Sequence, residues 1–227
     1  MNETARPAFY ALAPGGWRDY VTLLHPPYTV WHLSYVAIGA ALAPHWRPGI
    51  LGLALAAFFL GMGVAAHALD ELNGRPLRTR IGTRTLIVLA VLSLAGAAAI
   101  GVGTAIHTSL WLLAFVAVGA FIAVAYNLEW FGGGLHGDPW FSLAWGALPL
   151  LATYFAAAET IRIEAIVGAG AAALLSHTQR VLSTPVRRMR RQEGHLSDDG
   201  RQLERGLRLL SAATVLLAVA LVLMRVT

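Results

Sequence analysis

The sequence predicts an all-α fold, a polytopic membrane bundle of about seven transmembrane helices, and three observations predict it. Hydrophobic residues make up 57% of the 227 positions and charged residues only 13%, with a mean hydropathy of +0.61, far too apolar for an ordinary soluble domain. Seven apolar runs approach or reach the ~20 residues that a helix needs to cross a hydrocarbon core. The third is charge placement: all basic residues are arginine, and most fall between the runs. That pattern fits membrane orientation better than nucleic-acid binding, despite a formal charge of +5.

The runs follow in order. The first spans Thr29–Ala43, preceded by a break at Pro26 and Pro27 and flanked by Tyr28, Trp31 and Tyr35, which suit a water–lipid boundary. The second covers Gly49–Leu69, the third Thr85–Ile106 and the fourth Leu110–Leu128, where Gly132, Gly133 and Gly134 interrupt the pattern. The fifth is Trp140–Ala158, the sixth Ile163–Leu182 and the seventh Leu207–Met224. Thr184 before Pro185 marks a helix start, as does Ser197 before the last run. The chain therefore divides as a single membrane domain over residues 1–227, with an N-terminal cytoplasmic segment at 1–27 and a basic cytoplasmic loop at 183–206. No repeat is visible. With no cysteine there are neither disulfides nor thiolate metal sites. Pro14, Gly15, Gly16, Trp17, Arg18 and Asp19 interrupt the first twenty residues, which do not read as a signal peptide.

If seven helices alternate, Arg6, Arg18, the arginines after the second run and those from Arg180 to Arg205 share one side. Arg47, Arg162 and Arg225 lie opposite. The positive-inside rule then places the N-terminus in the cytoplasm of a multi-pass protein, expected in a prokaryotic cell membrane. Three unusual segments meet on that face: GVAAHALDELNGRPLRTRIG from Gly63, the glycine-rich YNLEWFGGGLHGDPW, and the basic LSHTQRVLSTPVRRMRR. On a helix reaching Glu71, the residues His67, Asp70 and Glu71 stand at i, i+3 and i+4 and project from one face as a cation site. Arg75, Arg78, Arg80 and Arg84 follow, with planar forks that suit phosphate oxygens. An acidic rim beside a basic rim suits a metal diphosphate. The duller alternative, helix-end capping with Asp70 bridging to Arg75 or Arg78, stands at even weight, and the run from Arg187 to Arg191 reads more readily as an anchor on anionic lipid.

The order of these motifs resembles the UbiA family of intramembrane prenyltransferases. Ala66-His67-Ala68-Leu69-Asp70 occupies the slot of that family's NDxxD motif and Arg75-Pro76-Leu77 that of its downstream RPL. Tyr126 followed by GLHGDPWFSLAWGALPLLATYF is similar to the family's GLGE segment, with Asp138 at the Glu position. The resemblance implies a transferase that ionises an allylic polyprenyl diphosphate, with Mg²⁺ as cofactor, and passes the prenyl group to a lipid-soluble acceptor of unknown identity. It implies catalytic roles for Asp70, Glu71 and Asp138, with Asp70 and Glu71 on magnesium. Diphosphate and substrate would be held by His67, Asn73, Arg75, Arg78, Arg80, Tyr126, His177, Arg180 and Arg187. Two features depart from the family: its second acidic motif would fall at Val181 and Pro185, which bind no metal, and it usually has eight or nine helices. A noncatalytic lipid-binding or assembly protein on the same fold and a UbiA-type terpene cyclase are the alternatives. A zinc hydrolase ranks last, because no HxxxH pair exists. Oligomerisation is left open, and the bilayer is the one partner that composition alone requires.

Overall fold

The computed structural model describes residues 6–227, and every regular element among them is helical. The first is α1 (Trp17–Leu23), followed by α2 (Pro26–Leu42), which starts on a proline pair. A proline in the first turn has no N–H to waste and has φ already set for a helix. Next comes one rod, Pro48–Leu72, made of α3 (Pro48–Phe58), a π-helical stretch (Phe59–Ala66) and α4 (His67–Leu72). A π turn takes up an extra residue, so the residues after it are rotated by roughly one position, about 100°. His67 and Asp70 thus face elsewhere than an unbroken α-helix would send them.

Then come α5 (Thr83–His107) and α6 (Leu112–Asn127). A second interrupted rod, Asp138–Ala158, consists of α7 (Asp138–Phe141), a π-helical stretch (Ser142–Ala147) and α8 (Leu148–Ala158). Pro149 in its middle cannot donate to the preceding turn, and the wide π turn lies immediately ahead of it. The chain ends with α9 (Ile163–Gln192) and α10 (Asp198–Val226). Four helices, Pro48–Leu72, Thr83–His107, Asp138–Ala158 and Asp198–Val226, are long and apolar enough to cross a membrane, and Leu112–Asn127 is a shorter apolar helix.

Packing centres on α2, which lies against α8 and α10, while α9 rests on the Ser142–Ala147 turn and α5 on the Phe59–Ala66 turn. Trp31 and Tyr35 are fully buried between them, with Trp31 Nε1 donating to the Tyr35 hydroxyl at 2.6 Å. At Gly146 a Cβ would stand 2.6 Å from the Ala172 carbonyl oxygen, so glycine is what lets α9 approach this closely.

One expectation about a segment differs from the structure. Residues 183–206 are not a basic loop: α9 runs through Pro185 without ending and closes only at Glu193 and Gly194, whose N–H groups both reach the Met189 carbonyl. Gly194 takes φ +70°, the left-handed conformation usual after a helix end. Non-helical chain is confined to 193–197, where the Ser197 hydroxyl accepts from Gly200 N and caps α10. Of the expected N-terminal segment 1–27, the first five positions lie outside the described residues, and residues 6–24 fold onto the bundle. Asp19 accepts from Gly15 N and Arg80 N at 3.0 Å each, and the Arg208 guanidinium lies 4.5 Å from the Phe9 ring.

Glu71 explains the shape of the turn after α4. Fully buried, it accepts from Leu77 N at 2.9 Å and from Thr79 N and Oγ1 at 2.8 Å. Replacing it by alanine leaves three donors without a partner, which should cost about 3 kcal/mol. The loss is to be read as a lower thermal midpoint, with proteolysis appearing first between positions 73 and 82.

Candidate functional site

At one end of the bundle a cavity of about 520 Å³ opens where several elements converge. The start of α2 contributes His25, Tyr28 and His32, and the end of α4 contributes His67 and Asp70. Asn73, Gly74 and Pro76 come from the following turn, and Tyr126, Asn127, Glu129, His136, Phe141 and Trp145 from α6, its connection and the second rod. The opposite wall is the C-terminal half of α9, from Gln179 to Gln192.

That wall carries the charge. Arg180, Arg187, Arg188 and Arg191 all line the cavity, joined by Thr184 and Ser183. Positions 180, 184, 187 and 191 recur at helical spacing, so one face of α9 presents guanidinium groups over three turns. Two contacts fix its rotation. Arg190 turns to the other side, where it forks onto the buried Glu204 of α10 at 2.6 and 3.1 Å. Arg180 Nε donates to Asp138 at 2.8 Å, and its guanidinium lies 5.4 Å from the Phe141 ring. Against four arginines the cavity sets two carboxylates, Asp70 and Glu129, so its field favours anions.

Asp70 faces this row. Arg187 and Arg191 act on its carboxylate electrostatically, yet among the described residues it makes no hydrogen bond or ion pair. Beside it His67 Nδ1 lies 3.0 Å from the Gly63 carbonyl, and its ring is stacked at 4.0 Å and 19° on His25. The floor is aromatic: Tyr126 packs against His136 at 4.4 Å and Trp145 at 4.5 Å, and Phe141 stacks on Trp145 at 5.4 Å and 5°. The Tyr126 hydroxyl and His25 Nε2 are buried with no hydrogen-bond partner among the described residues. His32 and Gln179 pair across the cavity at 2.9 Å.

Before α1, Tyr10 lies against His25 at 5.3 Å and edge-on to Tyr28 at 5.6 Å. Burial, helped by Tyr28, pushes its phenol well above the ordinary value of 10.0. Trp145 also lines a second, apolar groove of about 130 Å³ between α3, α5, α6 and α8, walled by residues such as Phe58, Met62, Leu94 and Phe115.

Of the residues singled out in the sequence, His67, Asp70, Asn73, Tyr126, Arg180 and Arg187 line this cavity. Six do not. Glu71 is spent on the backbone of its own turn. Arg75 donates to the Ile81 carbonyl at 2.6 Å and to Thr83 at 3.1 Å, bracing the same turn, while Arg78 and Arg80 are exposed outside the cavity. Asp138 sits behind Arg180 and positions it. His177 is exposed, within 3.4 Å of the Ser142 hydroxyl. His25, Tyr28, Arg188 and Arg191 also line the cavity, beyond the residues expected from the sequence. The α9 face was hidden by reading Pro185 as a helix start. His25, Tyr28 and His32, at i, i+3 and i+7, carried a spacing signal that could have been used.

The donors for a metal are few. Among the described residues no group of three His, Asp or Glu side chains could hold an ion. Glu71 being engaged, Asp70 is the one free carboxylate on the α4 end, with the His67 imidazole as its neighbour. This is a poor match to magnesium, which prefers an octahedron of oxygens, unless a ligand's phosphate oxygens complete the shell.

Burial, with the field of His67 adding to it, holds the His25 imidazole well below its ordinary value of 6.5. The unfolded chain therefore takes up a proton near pH 6.5 that the folded chain refuses. The stability this group contributes is intact above that pH and is lost as pH falls from there toward the depressed folded value. Thermal midpoints measured from pH 8 to pH 5 should fall below pH 6.5 in the wild type, with a shallower fall in His25→Asn.

Compared with family models, with curated proteins and with solved structures, the chain matches none.

Proposed function

We propose that the cavity binds the diphosphate of a polyprenyl diphosphate and that the protein is a UbiA-like membrane prenyltransferase. The observation that carries this reading is the row of four cavity arginines on α9 facing an unpartnered Asp70, next to an apolar groove that shares Trp145. Arginine forks suit phosphate oxygens, and fixed donors in a site shielded from water act most strongly on charge that develops during reaction. In this scheme the allylic C–O bond breaks and its electron pair leaves with diphosphate, neutralised by Arg187, Arg191 and Arg180. The allylic cation is left beside Tyr126, Phe141 and Trp145, whose ring faces attract cations. An acceptor then forms a bond to that carbon and sheds a proton, while the groove holds the prenyl tail away from water.

Magnesium, the ion that the sequence resemblance implies, would rest on Asp70 and on oxygens of the diphosphate itself, and it would help neutralise that charge. Seven spans with the N-terminus in the cytoplasm put the cavity at the cytoplasmic surface, in keeping with the arginine distribution.

The lack of a second carboxylate motif, and of a three-donor metal cluster among the described residues, favours one other reading, a noncatalytic protein that binds prenyl lipids. Purified protein in lipid nanodiscs should be incubated with divalent metal and prenyl diphosphates of several lengths. Diphosphate release supports the enzyme, and release without any added acceptor identifies a cyclase or hydrolase. Saturable binding with no release supports the lipid-binding protein, whereas no binding at any length defeats both.

A further inference from the structure

His67 and Asp70 form a mixed nitrogen and oxygen donor pair, which suits magnesium less well than a first-row transition metal. A backbone carbonyl can only accept, so the 3.0 Å contact to Gly63 places the proton of His67 on Nδ1 and leaves the lone pair on Nε2. Stacking by His25 covers a face of the ring, but that lone pair lies in the ring plane and stays open. No hydrogen bond reaches Nε2 among the described residues, and His67 lines the cavity. Asp70 is three residues on, equally unpartnered and lining the same cavity, and side chains at i and i+3 of a helix are neighbours. Metal-binding histidines characteristically give their second N–H to a backbone carbonyl, which fixes the tautomer and the ring. His67 has that arrangement already.

We propose that His67 Nε2 and the Asp70 carboxylate together bind one divalent ion of the manganese-to-zinc series in preference to magnesium, with diphosphate oxygens completing its shell. The inference rests on the diphosphate reading of the cavity. Imidazole nitrogen suits first-row transition metals, whereas magnesium selects oxygen. Two protein donors are too few to retain an ion alone, consistent with the absence of any three-donor group among the described residues. Metal and diphosphate therefore bind together.

The test uses the full chain in nanodiscs with Mn²⁺ and inorganic diphosphate, read by electron spin-echo envelope modulation. The wild type is expected to show nitrogen coupling from one imidazole that requires diphosphate. In His67→Gln the coupling vanishes and the preference for Mn²⁺ over Mg²⁺ falls about tenfold. His67→Asp should move preference further toward magnesium. A wild-type spectrum with oxygen ligation only, while diphosphate is bound, overturns the inference and leaves the diphosphate site standing; because it needs no variant, it decides the matter even if substitutions fail to fold. Diphosphate binding is measured in parallel with Mn²⁺ and in EDTA, and its absence under both conditions overturns the site reading and this inference with it.

Discussion

Replacing Arg187 and Arg191 together by glutamine is expected to weaken inorganic diphosphate binding by about 100-fold, measured calorimetrically in EDTA at low ionic strength. Hydrogen bonds to charged partners contribute about 1.5–3 kcal/mol each. Both side chains are reached by solvent, so the lower end applies, and two such losses sum to about 3 kcal/mol, or two decades. The fold should survive, because among the described residues neither arginine makes an ion pair. The contrast lies with Arg78 and Arg80, equally basic and nearby but outside the cavity. Their double replacement should change affinity by less than about twofold. Equal losses in the two double variants would mean that general surface charge, not the α9 row, attracts the anion.

Asp70→Asn should separate binding from turnover. Removing a negative charge beside the arginine row should leave metal-free diphosphate affinity unchanged or raise it, since like charge opposes the ligand. Diphosphate release from a prenyl diphosphate should nevertheless fall by at least ~100-fold, the scale seen when a preorganised electrostatic group is lost. Single-turnover release and equilibrium binding, measured on the same preparation, give the two signs. A variant that releases diphosphate at the wild-type rate removes Asp70 from the chemistry.

How legible this was in the sequence varies by residue. Each of the seven apolar runs falls on a helical rod, because continuous hydrophobicity is a property that local sequence carries. Local sequence does not carry the π turns, which need only small residues such as Gly61 and Gly63, and they alter which side chains point inward. Glu71 looked equivalent to Asp70 from spacing alone. What separates them is a turn that spacing does not encode: Thr79 and Leu77 fold back onto Glu71, while Asp70 makes no hydrogen bond among the described residues. Pro185 reads as a helix boundary because the ring removes a donor, yet α9 continues through it, since contacts to α10 and to the Ser142–Ala147 turn hold both flanks. Tyr28 reads as a lipid-boundary anchor, and only the convergence of α2 with α9 makes it part of the cavity wall.

The uninterrupted course of α9 gives its guanidinium groups a common ruler. From Arg180 to Arg191 the helix advances about 16 Å, more than one anionic headgroup can occupy at a time. Arg188 and Arg191 stand exposed at the outer end, Arg187 is half-buried opposite Asp70, and the Arg180 side chain is only 17% accessible beside the aromatic floor. On the proposed diphosphate reading, these forks would hand a headgroup inward from one to the next, so that capture and positioning become successive stations on a single track.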